Sequence, residues 1–284
     1  MLHPIKVEML PSWDPNRLVS KIPFNLALIG GRRQGKSSAV SDLLMRMNEK
    51  FDLVIAFIGS ASCNPVLQTM MQEYWDDRFF FPTWNEELVE KLLVQQEELK
   101  KNGYERNILI LMDDVVLSND ADEQLAHLAM RGRHFRISLV MCSVSYTSLP
   151  KRARRSLDCV LVFSLPMQSD LKVLTWEYTQ NSKMASFALS HLDDYECLVL
   201  ETLQKRQKLF IWKADLITLK QGKIQRISAS PECEKSRNEP SPETCDARPP
   251  PSRQNSTDAP SDQIQCSEPT IAALEEENEP GSPA

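Results

Sequence analysis

The sequence predicts an α/β domain whose mainly parallel sheet carries helices on both sides. Two observations lead there. Five apolar runs, "FNLALIG", "FDLVIAFIG", "NILILMDD", "FRISLVMCS" and "DCVLVFSL", follow one another and are apolar on both faces, as strands inside a parallel sheet are. Segments of helical periodicity separate them. With 284 residues and 42% apolar content the chain can close one substantial core.

The elements follow in order. Residues 1–22 read as an irregular lead-in with Pro4, Pro11 and Pro15. The first strand runs into "GRRQGKSS" and then an apolar-periodic segment reaching Met47, which gives strand, tight loop, helix. After the second strand a helix is expected over 65–74, and another within "FPTWNEELVEKLLVQQEELKKNG". Thr83 or Asn85 is its cap, Thr83 with Glu86 makes a capping box, and Gly103 follows its end. The third strand ends in two carboxylates, and "ADEQLAHLAMRG" is helical. The fourth strand leads into "YTSLPKRARRSL", a loop with a helical turn, and then the fifth strand. Helices are expected over 169–177 and 183–192, and "YECLVLET" with "QKLFIWKAD" as a terminal hairpin.

From Ser228 the composition changes. Ten of the 18 prolines fall there and no Phe, Tyr or Trp does, so the segment cannot offset its ordering entropy by burial. It is expected to be a disordered acidic tail, with "IAALEEENE" as a solvated run or a short binding helix. The expected organisation is a lead-in (1–22), one folded domain (23–227) and the tail (228–284). The net charge of −6 argues against a simple nucleic-acid binder, but the tail alone carries −8 and residues 1–227 carry +2. Seven cysteines are scattered without a close CxxC pair, which fits a reducing compartment, and Cys142 and Cys159 read as small core residues. "MLHPIKVEML" lacks the apolar core of a signal peptide, and no run approaches a membrane span. A soluble, intracellular protein is expected.

"GGRRQGKS", Gly30 to Ser37, fits G-x-x-x-x-G-K-[ST], the phosphate-binding loop of P-loop NTPases. It lies after a strand and before a helix, which is the context that the motif requires. Gly30 and Gly35 let backbone N–H groups curl round phosphates, and the helix that follows favours anions at its start. Gly31, Arg32, Arg33, Gln34 and Ser38 complete the cradle; the two arginines can touch phosphate, a neighbouring subunit or solvent. Lys36 can reach the β- and γ-phosphates, and Ser37 can ligand Mg²⁺. The implied cofactors are ATP and Mg²⁺. The bland alternative is a glycine turn with a surface lysine.

Asp113 and Asp114 close the third strand, at the same sheet edge as the loop in an open parallel sheet. Asp113 is the candidate for the metal shell, and Asp114 for orienting the attacking water. The alternative is a pair of turn aspartates. Between Arg131 and Arg155 there are seven Lys/Arg and no Asp/Glu. Such a segment suits a polyanion or an arginine finger reaching a neighbour's nucleotide. Arg131 and Arg133 are the first finger candidates, and Arg152, Arg154 and Arg155 the second. A solvated basic face is the alternative.

These residues together resemble the poxvirus A32-like DNA-packaging ATPases, in the FtsK–HerA branch of P-loop NTPases. The resemblance spans about residues 24–215 and rests on "GGRRQGKS", "ILILMDD" and "RGRHFRISLVMCSVSYTSLPKRARRSLD". It implies a RecA-like fold and a ring-shaped homo-oligomer that moves double-stranded DNA into a capsid, using ATP, Mg²⁺ and an arginine supplied between subunits. It also implies packaging partners, and a place in the virion, a cytoplasmic virus factory or the nucleus. Two positions depart from the family pattern. Val144 stands where the family usually has a glutamine, and Ser156 where it tends to have an asparagine. Valine cannot hydrogen-bond a γ-phosphate or water; Ser143 and Ser145 are its nearest polar neighbours. A nucleotide-binding scaffold with little turnover is therefore the second reading. A small-molecule kinase is a third, disfavoured because no acceptor pocket is recognisable.

Overall fold

The computed structural model describes residues 10–59, 64–165, 167–178, 182–202, 208–220 and 222–228. A short helix α1 (Asn16–Val19) leads to β1 (Asn25–Ile29), α2 (Lys36–Arg46) and β2 (Leu53–Ile58). Next come α3 (Pro65–Tyr74), β3 (Phe80–Phe81), α4 (Glu86–Lys101), β4 (Ile108–Asp113) and α5 (Asn119–Arg131). They are followed by β5 (Ile137–Ser143), α6 (Lys151–Arg154), β6 (Cys159–Val162), α7 (Gln168–Tyr178) and α8 (Ser182–Leu189). The last strands are β7 (Glu196–Glu201), β8 (Lys208–Lys213), β9 (Leu216–Lys220) and β10 (Lys223–Ile227).

Eight strands form one sheet in the order β3-β2-β4-β5-β1-β6-β7-β8. β1 to β6 pair in parallel, and the β7–β8 hairpin closes one side antiparallel. The apolar runs predict this mainly parallel sheet, and its RecA-like P-loop arrangement is the one that the resemblance implies. Every residue of β1, β4 and β6 is buried, which explains why their sequences show no alternation. Leu26 and Leu28 of β1 belong with Leu43 and Leu44 of α2, and Met47 just after it, to the main core cluster. Burying each such side chain contributes about 1.5–3 kcal/mol.

The structure corrects some local expectations. Asn85, not Thr83, caps α4, its side chain accepting from Leu88 N–H at 3.0 Å. Glu86 makes no box with Thr83; its carboxylate accepts from Ser118 Oγ at 2.9 Å, tying α4 to the start of α5. The lead-in is irregular only in part. Trp13 and Leu18 are buried, and Trp13 N–H donates to the Ile211 carbonyl of β8 at 2.8 Å. β3, α1 and the β9–β10 hairpin were not legible. The hairpin places Lys220 opposite Lys223, with Gly222 at φ 75°. It is clamped onto α2: Arg226 binds Asp215 and the fully buried Asp42, and Arg46 also binds both carboxylates. Burial pushes the Asp42 carboxyl up, against Arg46 and Arg226. Residues 229–284, including the expected tail helix, lie outside the described residues.

Candidate functional site

The loop after β1 is pinned by its neighbours. Gly30 N–H donates to the Ser143 carbonyl at the end of β5 (3.1 Å), and Gly31 N–H to the Ser164 carbonyl beyond β6 (3.3 Å). A methyl group on Gly30 would lie 2.6 Å from Phe163 Cβ, so only glycine fits there. Gly35 takes φ 99°, a left-handed conformation, and caps α2 without a side chain. The first N–H groups of α2 therefore face the loop with no side-chain cap. Lys36 is 8% exposed, and its Nζ donates to the Gly30 (2.7 Å) and Gly31 (2.9 Å) carbonyls. The ammonium thus sits in the loop it would serve. Arg32, Arg33, Gln34 and Ser37 are exposed; Gly31, Gly35 and Ser38 are half-buried.

The acidic pair joins this edge. Asp113 ends β4 opposite Ile58 and Cys142, and is 7% exposed. Burial and then the neighbouring Asp114 push its carboxyl up to about 6, while Lys36 pulls the other way. Asp114 is exposed at φ 51°. A methyl group on Gly59 would lie 2.1 Å from the Asp114 carbonyl oxygen, so glycine lets the ends of β2 and β4 converge. Burial pushes the Cys142 thiol up, and Asp113, Lys36 and Asp114 all act on it. Lys36, Asp113 and Asp114 thus share one electrostatic neighbourhood. Two crowded carboxylates, one of them with raised proton affinity, together with the Ser37 hydroxyl are hard oxygen donors that suit Mg²⁺. Among the described residues no group of three or more His, Cys, Asp or Glu forms a metal cage. Mg²⁺ needs none, because it keeps waters and binds through one or two carboxylates and phosphates.

The segment after β5 was only partly legible. Val144 is half-buried. Ser143 Oγ donates to the Ser145 carbonyl at 2.9 Å and lies 2.7 Å from Ser148 Oγ. Asp170 of α7 is 1% exposed and accepts from Tyr146 N–H, Thr147 N–H and Thr147 Oγ1 at 3.2, 3.3 and 2.7 Å. Burial pushes Asp170 up, but bonds from Thr147, Ser145 and the backbone outweigh it and hold the carboxyl below its usual value. The fully buried Tyr146 donates to Glu177 at 2.5 Å. Arg154 lies 3.5 Å from Glu177 and 4.9 Å from the Tyr146 ring centroid, and its carbonyl accepts from Tyr178. Arg154, a finger candidate by sequence, is therefore an internal strut. Arg152 and Arg155 stay exposed.

Arg131 and Arg133 are not brought to the phosphate loop. Arg131 ends α5 and Arg133 lies in the 3-10 turn Gly132–Phe135, so both precede β5, whose far end meets the loop. The length of β5 puts them roughly 20 Å away. Both are exposed, and Arg133 acts on Asp158 at the start of β6, opposing the upward push of burial. Arg133, His134, Arg136, Lys100, Arg106 and Tyr104 line a cleft of about 270 Å³ at that edge.

The fold and loop define a P-loop protein with an acidic strand end beside its phosphate cradle. The family model described as poxvirus A32 protein matches residues 12–196, and the chain belongs to that family. No curated protein sequence matches the chain. Its fold is similar to B204, the DNA-packaging ATPase of Sulfolobus turreted icosahedral virus, at 16% identity over 66% of this chain and 97% of that one, TM-score 0.47. B204 of Sulfolobus turreted icosahedral virus 2 in complex with ATP-gammaS shows 14% identity over 66% and 96%, TM-score 0.45. The pCW3 conjugation coupling protein TcpA shows 10% identity over 72% and 69%, TM-score 0.49.

Proposed function

We propose that the chain is an ATP-hydrolysing motor that moves double-stranded DNA, with loading of viral DNA into a capsid as its specific task. The observation that carries this reading is the meeting of Lys36, Asp113 and Asp114 at one sheet edge, beside a glycine loop at a helix start. Residues 30–38 hold the phosphates, with Lys36 exchanging the Gly30 and Gly31 carbonyls for phosphate oxygens. Ser37 and Asp113 would hold Mg²⁺, which would supply positive charge beside the phosphates. Asp114 orients the attacking water. Arg131 and Arg133 lie at the far edge, so either can serve only another subunit's nucleotide; the reading therefore includes a homo-oligomeric ring. Residues 23–227, with the packed part of the lead-in, form the ATPase domain, and 228–284 recruit a packaging partner. No described helix is long and apolar enough to cross a membrane; a virion or virus factory suits this role.

One observation favours a second reading, a nucleotide-binding scaffold with little turnover. Val144 offers no hydrogen bond, and Ser143 Oγ is already engaged with Ser145 and Ser148. Mg²⁺-dependent ATP hydrolysis with and without duplex DNA, beside Lys36→Ala, separates the two. DNA-stimulated turnover that Lys36→Ala abolishes supports the motor. ATP binding without turnover supports the scaffold.

A further inference from the structure

β7 runs antiparallel to β6, with Leu198 opposite Val162, so the start of β7 returns to the edge where the phosphate loop lies. The residue just before it is Tyr195. Its backbone is left-handed, at φ 64°, a conformation that an aromatic residue adopts only when its surroundings impose it. The turn that imposes it is closed twice: Glu196 N–H donates to the Asp193 carbonyl, and Asp193 N–H to Glu196 Oε2, both at 3.1 Å. The result is an aromatic side chain 53% exposed beside the last glycine of the loop. A methyl group on Gly35 would lie 3.0 Å from Tyr195 Cδ1 and 3.5 Å from Phe163 Cε1. Two aromatic residues thus flank Gly35, and only Phe163 is buried.

Core packing does not explain an aromatic ring left half in water on a strained backbone. Phosphate does not explain it either. Asp193, Asp194 and Glu196 adjoin Tyr195 in sequence, and their carboxylates disfavour an anion there. An uncharged flat ring suits the place, since a tyrosine face offers stacking to any planar base. We infer that Tyr195 is the stacking platform for the base of the bound nucleotide, beyond the phosphates held by Gly30 to Ser37. The inference rests on the nucleotide-site reading above and adds a base contact to it.

Calorimetric titration of the full chain with Mg²⁺-ATP and with Mg²⁺-tripolyphosphate, which has the phosphates but no base, tests it. Tyr195→Ala is expected to weaken ATP about tenfold and leave tripolyphosphate unchanged. Tyr195→Phe keeps the ring and binds ATP like the parent. Tyr195→Asn, whose side chain tolerates left-handed backbone, repeats the alanine result and separates loss of the ring from a folding fault. Equal ATP affinity in parent and Tyr195→Ala, or parallel loss of both probes in all three variants, overturns the stacking role alone. A parent chain that binds neither probe overturns the nucleotide site, and the stacking role with it.

Discussion

At the sheet edge where β1, β4, β5 and β6 end, Arg33, Asp114 and Tyr195 hold left-handed backbone at φ 62°, 51° and 64°. At the edge where those strands begin, Arg136 is the one such non-glycine residue among the described residues, at φ 57°. The first edge also carries the buried Lys36 and Asp113. The second relies on exposed arginines and routine bonds, such as Lys100 Nζ donating to the His134 carbonyl at 3.1 Å. Each left-handed residue costs on the order of 1–2 kcal/mol, so three at one edge are kept only because the surrounding strands over-determine them. The difference teaches that one edge is built to hold groups at fixed positions, and the other to present charge outward.

The contrast can be broken at either edge. The largest effect is expected from the outward one: Arg131→Ala with Arg133→Ala should lower turnover on the order of a thousandfold, as loss of a trans arginine does, with ATP binding kept. Unchanged steady-state turnover would remove both residues from the reaction. At the other edge, Asp114→Asn should lower turnover about a hundredfold and spare ATP affinity. A matching fall in affinity would show that Asp114 holds the ligand instead.

Two further changes sharpen the comparison through stability. Arg154→Ala removes a buried arginine and leaves the half-buried Glu177 without its cation, and should cost about 2–3 kcal/mol in denaturant unfolding. Arg152→Ala, in the same basic run but exposed, should cost about 0.5 kcal/mol or less. Equal losses would contradict the strut. The remaining effect is a gain. The folded Asp113 titrates at about 6, above its ordinary 3.8, so the native state holds the proton more tightly than the unfolded chain. Stability therefore falls as pH rises through that window, and below about 4 the penalty is absent. In metal-free buffer Asp113→Asn should be more stable than the parent at pH 7, by up to roughly 3 kcal/mol, with the difference gone near pH 4. Parallel melting profiles across that range would contradict it.

The phosphate loop was legible because its chemistry is local: glycines, a lysine and a serine at fixed spacing. The acidic pair was legible because strand direction alone carries Asp113 to the same edge. Arg154 was not distinguishable from Arg152 and Arg155, since its burial depends on Tyr146 and Glu177, the latter 23 residues away in the chain. Asp170 carried no signal at all; it caps a turn whose N–H groups lie 23 and 24 residues earlier. Tyr195 looked like any tyrosine before a strand, and only the antiparallel return of β7 sets it beside Gly35. The β9–β10 hairpin was not legible, since its apolar residues do not alternate cleanly and its packing depends on carboxylates at Asp42 and Asp215.

The rims of the sheet set a rule for assembly. One rim strand, β3, is two residues long. At the other rim the lead-in lies against β8, where Ile211 N–H donates to the Pro11 carbonyl at 3.0 Å and Ser12 bridges Ile211. A short rim and a covered one give a second copy little backbone to pair with. In the proposed ring, copies would therefore join other than by extending this eight-stranded sheet, and a joint through side chains and loops could open and close without unzipping a shared ladder.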